Sequence, residues 1–194
     1  MPTIQDYLKE LSDLFVSDLH ASQYYRNLPP AERAGVDQRL AQDAANGFLP
    51  LVPGALEADL ELLDEAIAQW LGVEMPEDVK ALLRKVDGFV ENGTTLYSVD
   101  PELLKESDGW RPGIAGQNQM FWIEFPELSQ RWLLVGDNEL SFFAYDLVQG
   151  EFWALDRYGI DKQHRFIDGD DLLRFLLRTA LRIAEPAPEP ERLE

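Results

Sequence analysis

Apolar residues recur at helical spacing from the start of the chain. Ile4, Leu8, Leu11, Phe15 and Leu19 fall on one face of a predicted helix, which Thr3 and Asp6 open with a variant of the capping-box pattern. Leu28-Pro29-Pro30 interrupts it, a weaker helix is predicted over 31–45, and Asn46-Gly47 is a good C-terminal stop. A connector follows over 50–54. Strand signals are few in this part, so 1–58 is expected to be a helical extension packed on the main domain.

The pattern strengthens at Asp59, where Leu60, Leu63, Ile67, Trp70 and Leu71 form one stripe that ends at Gly72. Met75-Pro76-Glu77-Asp78 opens a second helix with the stripe Val79, Leu82, Leu83 and Val86, stopped by Gly88. The short join predicts a helical hairpin. Asn92-Gly93-Thr94 matches a glycosylation sequon but reads as a turn, and 94–99 is β-branched and aromatic enough for a strand. Asp100-Pro101 is expected to cap a short helix over 102–106, with a loop over 107–119 and a further strand over 120–125. A strand over 132–135, a turn at Gly136-Asp137-Asn138 and a strand over 141–147 come next, and Val148-Gln149-Gly150 joins the last of these to a strand over 152–155. Asp168 or Asp170 is expected to cap a closing helix that buries Leu172, Leu173, Phe175, Leu176 and Leu177. The prolines and glutamates of 185–194 predict a disordered acidic tail. Nothing alternates regularly enough for a doubly wound sheet. The expected fold is α+β, an antiparallel sheet with a helical hairpin before it and a closing helix after it, over 59–184.

Charge narrows the function classes. Seventeen Lys and Arg against 36 Asp and Glu give a formal charge of -19 on 194 residues, which repels phosphate backbones and anionic lipid headgroups. Direct nucleic-acid or membrane binding is disfavoured, and encounter with basic proteins is accelerated. With no cysteine, disulfides, thiolate catalysis and Cys-ligated metals are excluded. The N-terminus lacks the basic and apolar regions of a signal peptide, and no stretch approaches the ~18 apolar residues of a membrane span, so a cytoplasmic protein is expected.

Several local patterns occur in one order. Leu71-Gly72-Val73-Glu74-Met75-Pro76-Glu77-Asp78 joins two helices, a strand follows near Tyr97, and then come Val135-Gly136-Asp137-Asn138, Phe143-Ala144-Tyr145-Asp146-Leu147, Gly150-Glu151-Phe152-Trp153-Ala154-Leu155-Asp156 and a terminal helix. In this the chain resembles the SUKH superfamily over about 59–183, the superfamily of the yeast Smi/Knr cell-wall regulators and of many bacterial immunity proteins. The family's Asn-Gly-like turn after the second helix stands here as Asp87-Gly88, and the helical extension lies outside the common core. The resemblance implies a non-enzymatic domain that binds and neutralises a cognate toxin. Such toxins include nucleases, and a basic one suits the acidic charge. The alternative within the family is a regulatory or scaffolding module of the Smi/Knr type.

The chemistry-bearing residues have simpler roles open to them. His20 and His164 lie far apart, and no serine has the Gly-x-Ser-x-Gly setting of a nucleophile elbow, so a catalytic triad is not expected. Asp168-Gly169-Asp170-Asp171 lacks the spacing and bidentate Glu of a calcium loop and fits a helix N-terminus. Gly113-Ile114-Ala115-Gly116 lacks the remaining signature of a phosphate loop and reads as a flexible loop. Glu61, Asp64 and Glu65 form a solvated helix face that adds to an acidic docking surface. No cofactor or metal is implied.

Asp137, Glu139, Asp146, Glu151 and Asp156 crowd the strand region. A hydrolase would need two of them in a cleft with divergent pKa values; solvated turns explain them more simply. A third reading makes them an acidic binding rim beside Trp132, Phe142, Trp153 and Tyr158, aromatics of the kind enriched at interaction hot spots. The expected partner-binding set is therefore Trp110, Asp137, Glu139, Asp146, Glu151, Trp153, Asp156 and Tyr158, with Trp110 the aromatic furthest from any core pattern.

Overall fold

The computed structural model describes residues 2–45, 54–100, 103–104 and 111–183. Trp110, the stop at Asn46-Gly47, most of the 50–54 connector and the 185–194 tail lie outside the described residues, as does most of the 102–106 helix, of which Leu103 and Leu104 form a turn.

Helix α1 (Ile4–Ala21) starts where its sequence says it should. The Asp6 amide donates to Thr3 Oγ1 (3.2 Å) and the Thr3 amide donates to the Asp6 carboxylate (2.8 Å), closing the capping box. These bonds from Thr3 hold the Asp6 carboxyl below the usual carboxylate range. Tyr7, Leu8 and Leu11 are buried, while Phe15 and Leu19 are half-buried. Two further helices, α2 (Gln23–Asn27) and α3 (Pro30–Ala45), follow. Asp37 of α3 ties them to α1, accepting the Tyr25 hydroxyl at 2.8 Å and meeting His20 Nε2 at 3.1 Å.

The predicted hairpin is formed by α4 (Glu57–Leu71) and α5 (Glu77–Leu83), with Gly72 in the left-handed conformation (φ 71°) that ends α4. Leu60, Leu63 and Ile67 are buried on one helix, Val79, Leu82 and Leu83 on the other. Polar clamps fix the pair: Asp64 accepts the Met75 amide (3.2 Å) and Lys80 Nζ (2.6 Å), and Arg84 bridges Glu57 and Glu77. Asp64 of the predicted acidic face is thus partly spent on the hairpin.

Six strands make one antiparallel sheet in sequence order: β1 (Phe89–Glu91), β2 (Thr94–Leu96), β3 (Trp132–Asn138), β4 (Ser141–Asp146), β5 (Glu151–Asp156) and β6 (Lys162–Arg165). Asn92 and Gly93, both at positive φ (49° and 75°), turn β1 into β2, the role expected of that tripeptide. Between β2 and β3 runs α6 (Ile114–Glu124), and after β6 comes α7 (Gly169–Ala180). The pleat sends adjacent residues to opposite faces: the Phe142 ring meets Phe121 of α6 (5.5 Å between centroids), and Phe143 meets Phe175 of α7 (5.8 Å). Helix α6 also packs on α4, and α7 on α5 and α1, so the sheet lies between two helical layers. The α+β expectation holds, with helices before and after the sheet.

Several local expectations are corrected. The strand expected over 120–125 and much of the loop before it form α6. Gly113 and Gly116 are its opening, not a flexible loop. The Asp100 carboxylate accepts the Ala115 and Gly116 amides (both 2.8 Å), supplying the cap that Gly113 lacks, and a Cβ at Gly113 would lie 2.3 Å from Asp100 Cγ. Asn118, fully buried, then fastens α6 to β3 by donating to the Leu134 carbonyl (2.8 Å) and accepting the Leu134 amide (2.7 Å). The turn expected at Gly136-Asp137-Asn138 is strand instead, because a register shift between Leu134 and Gly136 carries β3 on to Asn138; the turn falls at Glu139-Leu140. Strands β1 and β6 were not expected.

Candidate functional site at the two ends of the sheet

The chain builds one turn twice. At the end of β4 the Asp146 carboxylate accepts the amides of Val148 (3.0 Å) and Gln149 (3.1 Å), and its carbonyl accepts the Gly150 amide (2.8 Å). At the end of β5 Asp156 does the same with Tyr158 (2.9 Å), Gly159 (2.7 Å) and Ile160 (2.8 Å). These are Asx-type turns, in which an aspartate replaces the missing strand partner. Because β4 and β5 are antiparallel, the two turns stand at opposite ends of the sheet, and the expected rim divides between them.

Asp146, Glu151 and Trp153 come together at the first end. Asp146 is wholly buried, with Lys162 Nζ at 3.2 Å and Arg131 at 3.8 Å from its second oxygen. Lys162 sits over the Trp153 ring at 4.1 Å and the Trp132 ring at 5.1 Å, and Arg131 over Trp132 at 5.3 Å. Glu151 accepts Arg165 Nη1 (2.9 Å) and Trp153 Nε1 (3.3 Å). Cations therefore match the carboxylates here, and the indoles carry cations on their faces. This end is a packed staple.

Asp137, Glu139, Asp156 and Tyr158 lie at the other end. Arg157 Nη1 donates to Asp137 (3.1 Å) and the Asn138 carbonyl (2.7 Å), with its guanidinium 4.7 Å above the Phe142 ring. Beneath, Tyr97 is buried; burial first, then the Asp137 charge, pushes its pKa far above the ordinary tyrosine value. Asn138 Oδ1 accepts the Leu140 and Ser141 amides (2.9 and 2.8 Å), and the Arg157 amide donates to the Leu140 carbonyl (3.0 Å), so the two neighbouring turns are locked together. The second oxygen of Asp156 meets a neutral partner, Gln163 Nε2 (3.1 Å). On this frame Tyr158 is 84% exposed and Leu140 65%. Leu140, Arg157 and Lys162 lie outside the set expected from the sequence. An apolar residue inside a turn was an available signal for Leu140; nothing local marked the other two.

The remaining candidates have structural roles. Asp168 accepts the Asp171 amide (2.9 Å) as the N-cap of α7, Asp171 accepts the Ile167 amide (3.1 Å), and Asp170 pairs with Lys85. His164 of β6 packs edge-on against Phe166 (4.8 Å), and His20 pairs with Asp37 on the N-terminal helices. An open pocket of about 310 Å³ beside the hairpin is lined by Asp64, Glu65, Ala68, Glu74, Met75 and Lys80. No helix among the described residues is long and apolar enough to cross a membrane. No protein-family model matches the chain, and comparison with curated proteins finds no match.

Proposed function

We propose that this chain is a non-enzymatic, cytoplasmic binding protein of the SUKH immunity type, which neutralises a cognate bacterial toxin with a basic surface by covering its active site or substrate path. The observation that carries the reading is the division of labour among the sheet-end side chains. Asp137, Asp146, Glu151 and Asp156 are committed to amides and side-chain partners that hold turns and strands, the work of a scaffold. Tyr158 and Leu140 are held out to solvent on a rigid frame, the display a binding surface uses. The charge of -19 supplies steering toward a basic partner. The hairpin, antiparallel sheet and closing helix agree with what the SUKH resemblance leads one to expect.

Co-expression with a toxin encoded beside this chain tests the reading. Neutralisation predicts restored growth and a stable complex on gel filtration. If no neighbouring gene is toxic, or toxicity persists with the protein present and folded, the immunity reading is lost; capture of host regulators without a toxin would favour the scaffolding module.

A further inference from the structure

Tyr158 and Leu140 belong to adjoining turns that are pinned from three directions, by the Asp156 and Asn138 side chains and by the Arg157 amide. A large apolar side chain in water on a mobile loop needs no explanation. Two presented on turns joined by a backbone bond are different, because the ordering cost of that backbone is met before any partner arrives. The turn also carries strain that its twin avoids. The first turn ends in Gly150 at φ 70°, where glycine is at ease, whereas the second ends in Ile160 at φ 56°, a conformation β-branched residues rarely adopt. Strain of this kind persists only where the surroundings enforce it, and it clusters at active sites, ligand clamps and switch regions.

The flanking charge says what kind of surface the pair meets. Glu139 and Asp161 are exposed on the same two connections, while Arg157 is occupied by Asp137 and Phe142. At the opposite end Val148 is just as exposed (78%), but Lys162 and Arg131 stand nearby on Asp146. We infer that Leu140 and Tyr158, flanked by Glu139 and Asp161, form the docking patch for a basic amphipathic protein surface. Apolar side chains of that surface cover Leu140, and its Lys or Arg side chains meet the carboxylates and stack on the Tyr158 ring. The inference rests on the binding-protein reading and adds to it where on the fold the partner docks and with what chemistry.

The test is amide chemical-shift mapping on the full chain with a blocked peptide of alternating Leu and Arg as probe, beside a Leu and Glu peptide as control. Shifts confined to 138–141 and 156–161, absent with the acidic peptide and weakened by about tenfold or more in a Leu140→Ser, Tyr158→Ala double variant, are expected. A Val148→Ser variant should bind as the wild type does. Shifts centred on the acidic helices, shifts unchanged in the double variant, or no shifts at all overturn the patch. The co-expression assay separates the two proposals. A wild type and double variant that protect equally against a toxin sink the patch and leave the immunity reading; a peptide mapped to the patch by a chain that protects against no toxin does the reverse.

Discussion

Asp146-Leu147-Val148-Gln149-Gly150 and Asp156-Arg157-Tyr158-Gly159-Ile160 fold into the same turn with the same three hydrogen bonds, and they lead opposite lives. At the first, the second carboxylate oxygen lies inside the protein against Lys162, whose ammonium is sandwiched by Trp132 and Trp153. At the second, the corresponding oxygen meets a side-chain amide near the surface, and the turn displays its aromatic residue to water. The local backbone chemistry is shared. What differs is what the sheet brings up from β6, the Lys162 ammonium in one case and a neutral Gln163 in the other. An acidic residue beside an aromatic is thus a staple or a binding edge depending on the strand that pairs alongside it.

The sharpest way to break this contrast is Asp146→Ala. Removal takes a wholly buried carboxylate from Lys162, which keeps water and Gln149 as partners, and frees two turn amides, a loss of about 2–3 kcal/mol. At the size of this chain that lowers the melting temperature by roughly 4–12 °C. A calorimetric or circular-dichroism melt within a degree of wild type would show that the staple bears no load. Asp146→Asn, which keeps an oxygen for the Val148 and Gln149 amides, should fall between the two.

Tyr145 gives a second, smaller perturbation at the same end. Its hydroxyl donates to Asp78 beside the start of α5 (3.0 Å), and burial, with that bond and the Asp78 charge, pushes its pKa up to about 12. The folded value lies above the ordinary one near 10, so the contribution is complete below about pH 10 and is lost as pH rises toward 12. Tyr145→Phe should cost about 1–2 kcal/mol at neutral pH. The difference between variant and wild type in urea midpoint should shrink above pH 10, and one late step should vanish from the tyrosinate absorbance titration. A difference that stays constant across that window would mean the hydroxyl is not the source.

Asp156→Ala repeats the first experiment on the twin turn. Here the lost bonds are to amides that water can reach and to a neutral Gln163, so about 1 kcal/mol is expected. A loss equal to that of Asp146→Ala would erase the distinction between the two ends. The same variant addresses the hydrolase reading, since a carboxylate that only holds a turn leaves no turnover to abolish.

The contrast also shows what was legible in the sequence. Thr3 with Asp6, Gly72 before Pro76 and Asn92-Gly93 are read correctly because each acts within a few residues of itself, and of the two caps expected for the closing helix, Asp168 and Asp170, it is Asp168 that serves. Helix α6 is missed because its cap, Asp100, is fifteen residues from the amide of Ala115 that it holds, and because the continuous apolar run over 120–123 has no period to separate helix from strand. Strand β6 is missed because all four of its residues are exposed and polar, so pairing with β5 alone makes it a strand. The carboxylates of the candidate site were visible as turn and strand-end residues. Their fates were not, because Lys162 lies sixteen residues beyond Asp146 and meets it only once β6 has docked.

Tyr158→Ala carries the smallest expected change in stability and the most information about the exposed end. The ring is 84% exposed, and the turn beneath it is held by its backbone amide, which alanine retains. Substitution at such a site moves stability by no more than about 0.5 kcal/mol. The melting curve of this variant should overlay that of the wild type, while its affinity for the alternating Leu and Arg peptide falls. A melt lowered as far as in Asp156→Ala would mean that the ring packs in solution and that the turn is a second staple. An unchanged melt with unchanged peptide affinity would place the contact on Leu140 and the carboxylates alone. Only an unchanged melt with weakened binding separates the display of a side chain from the support of a fold, and that separation is what distinguishes the two ends of this sheet.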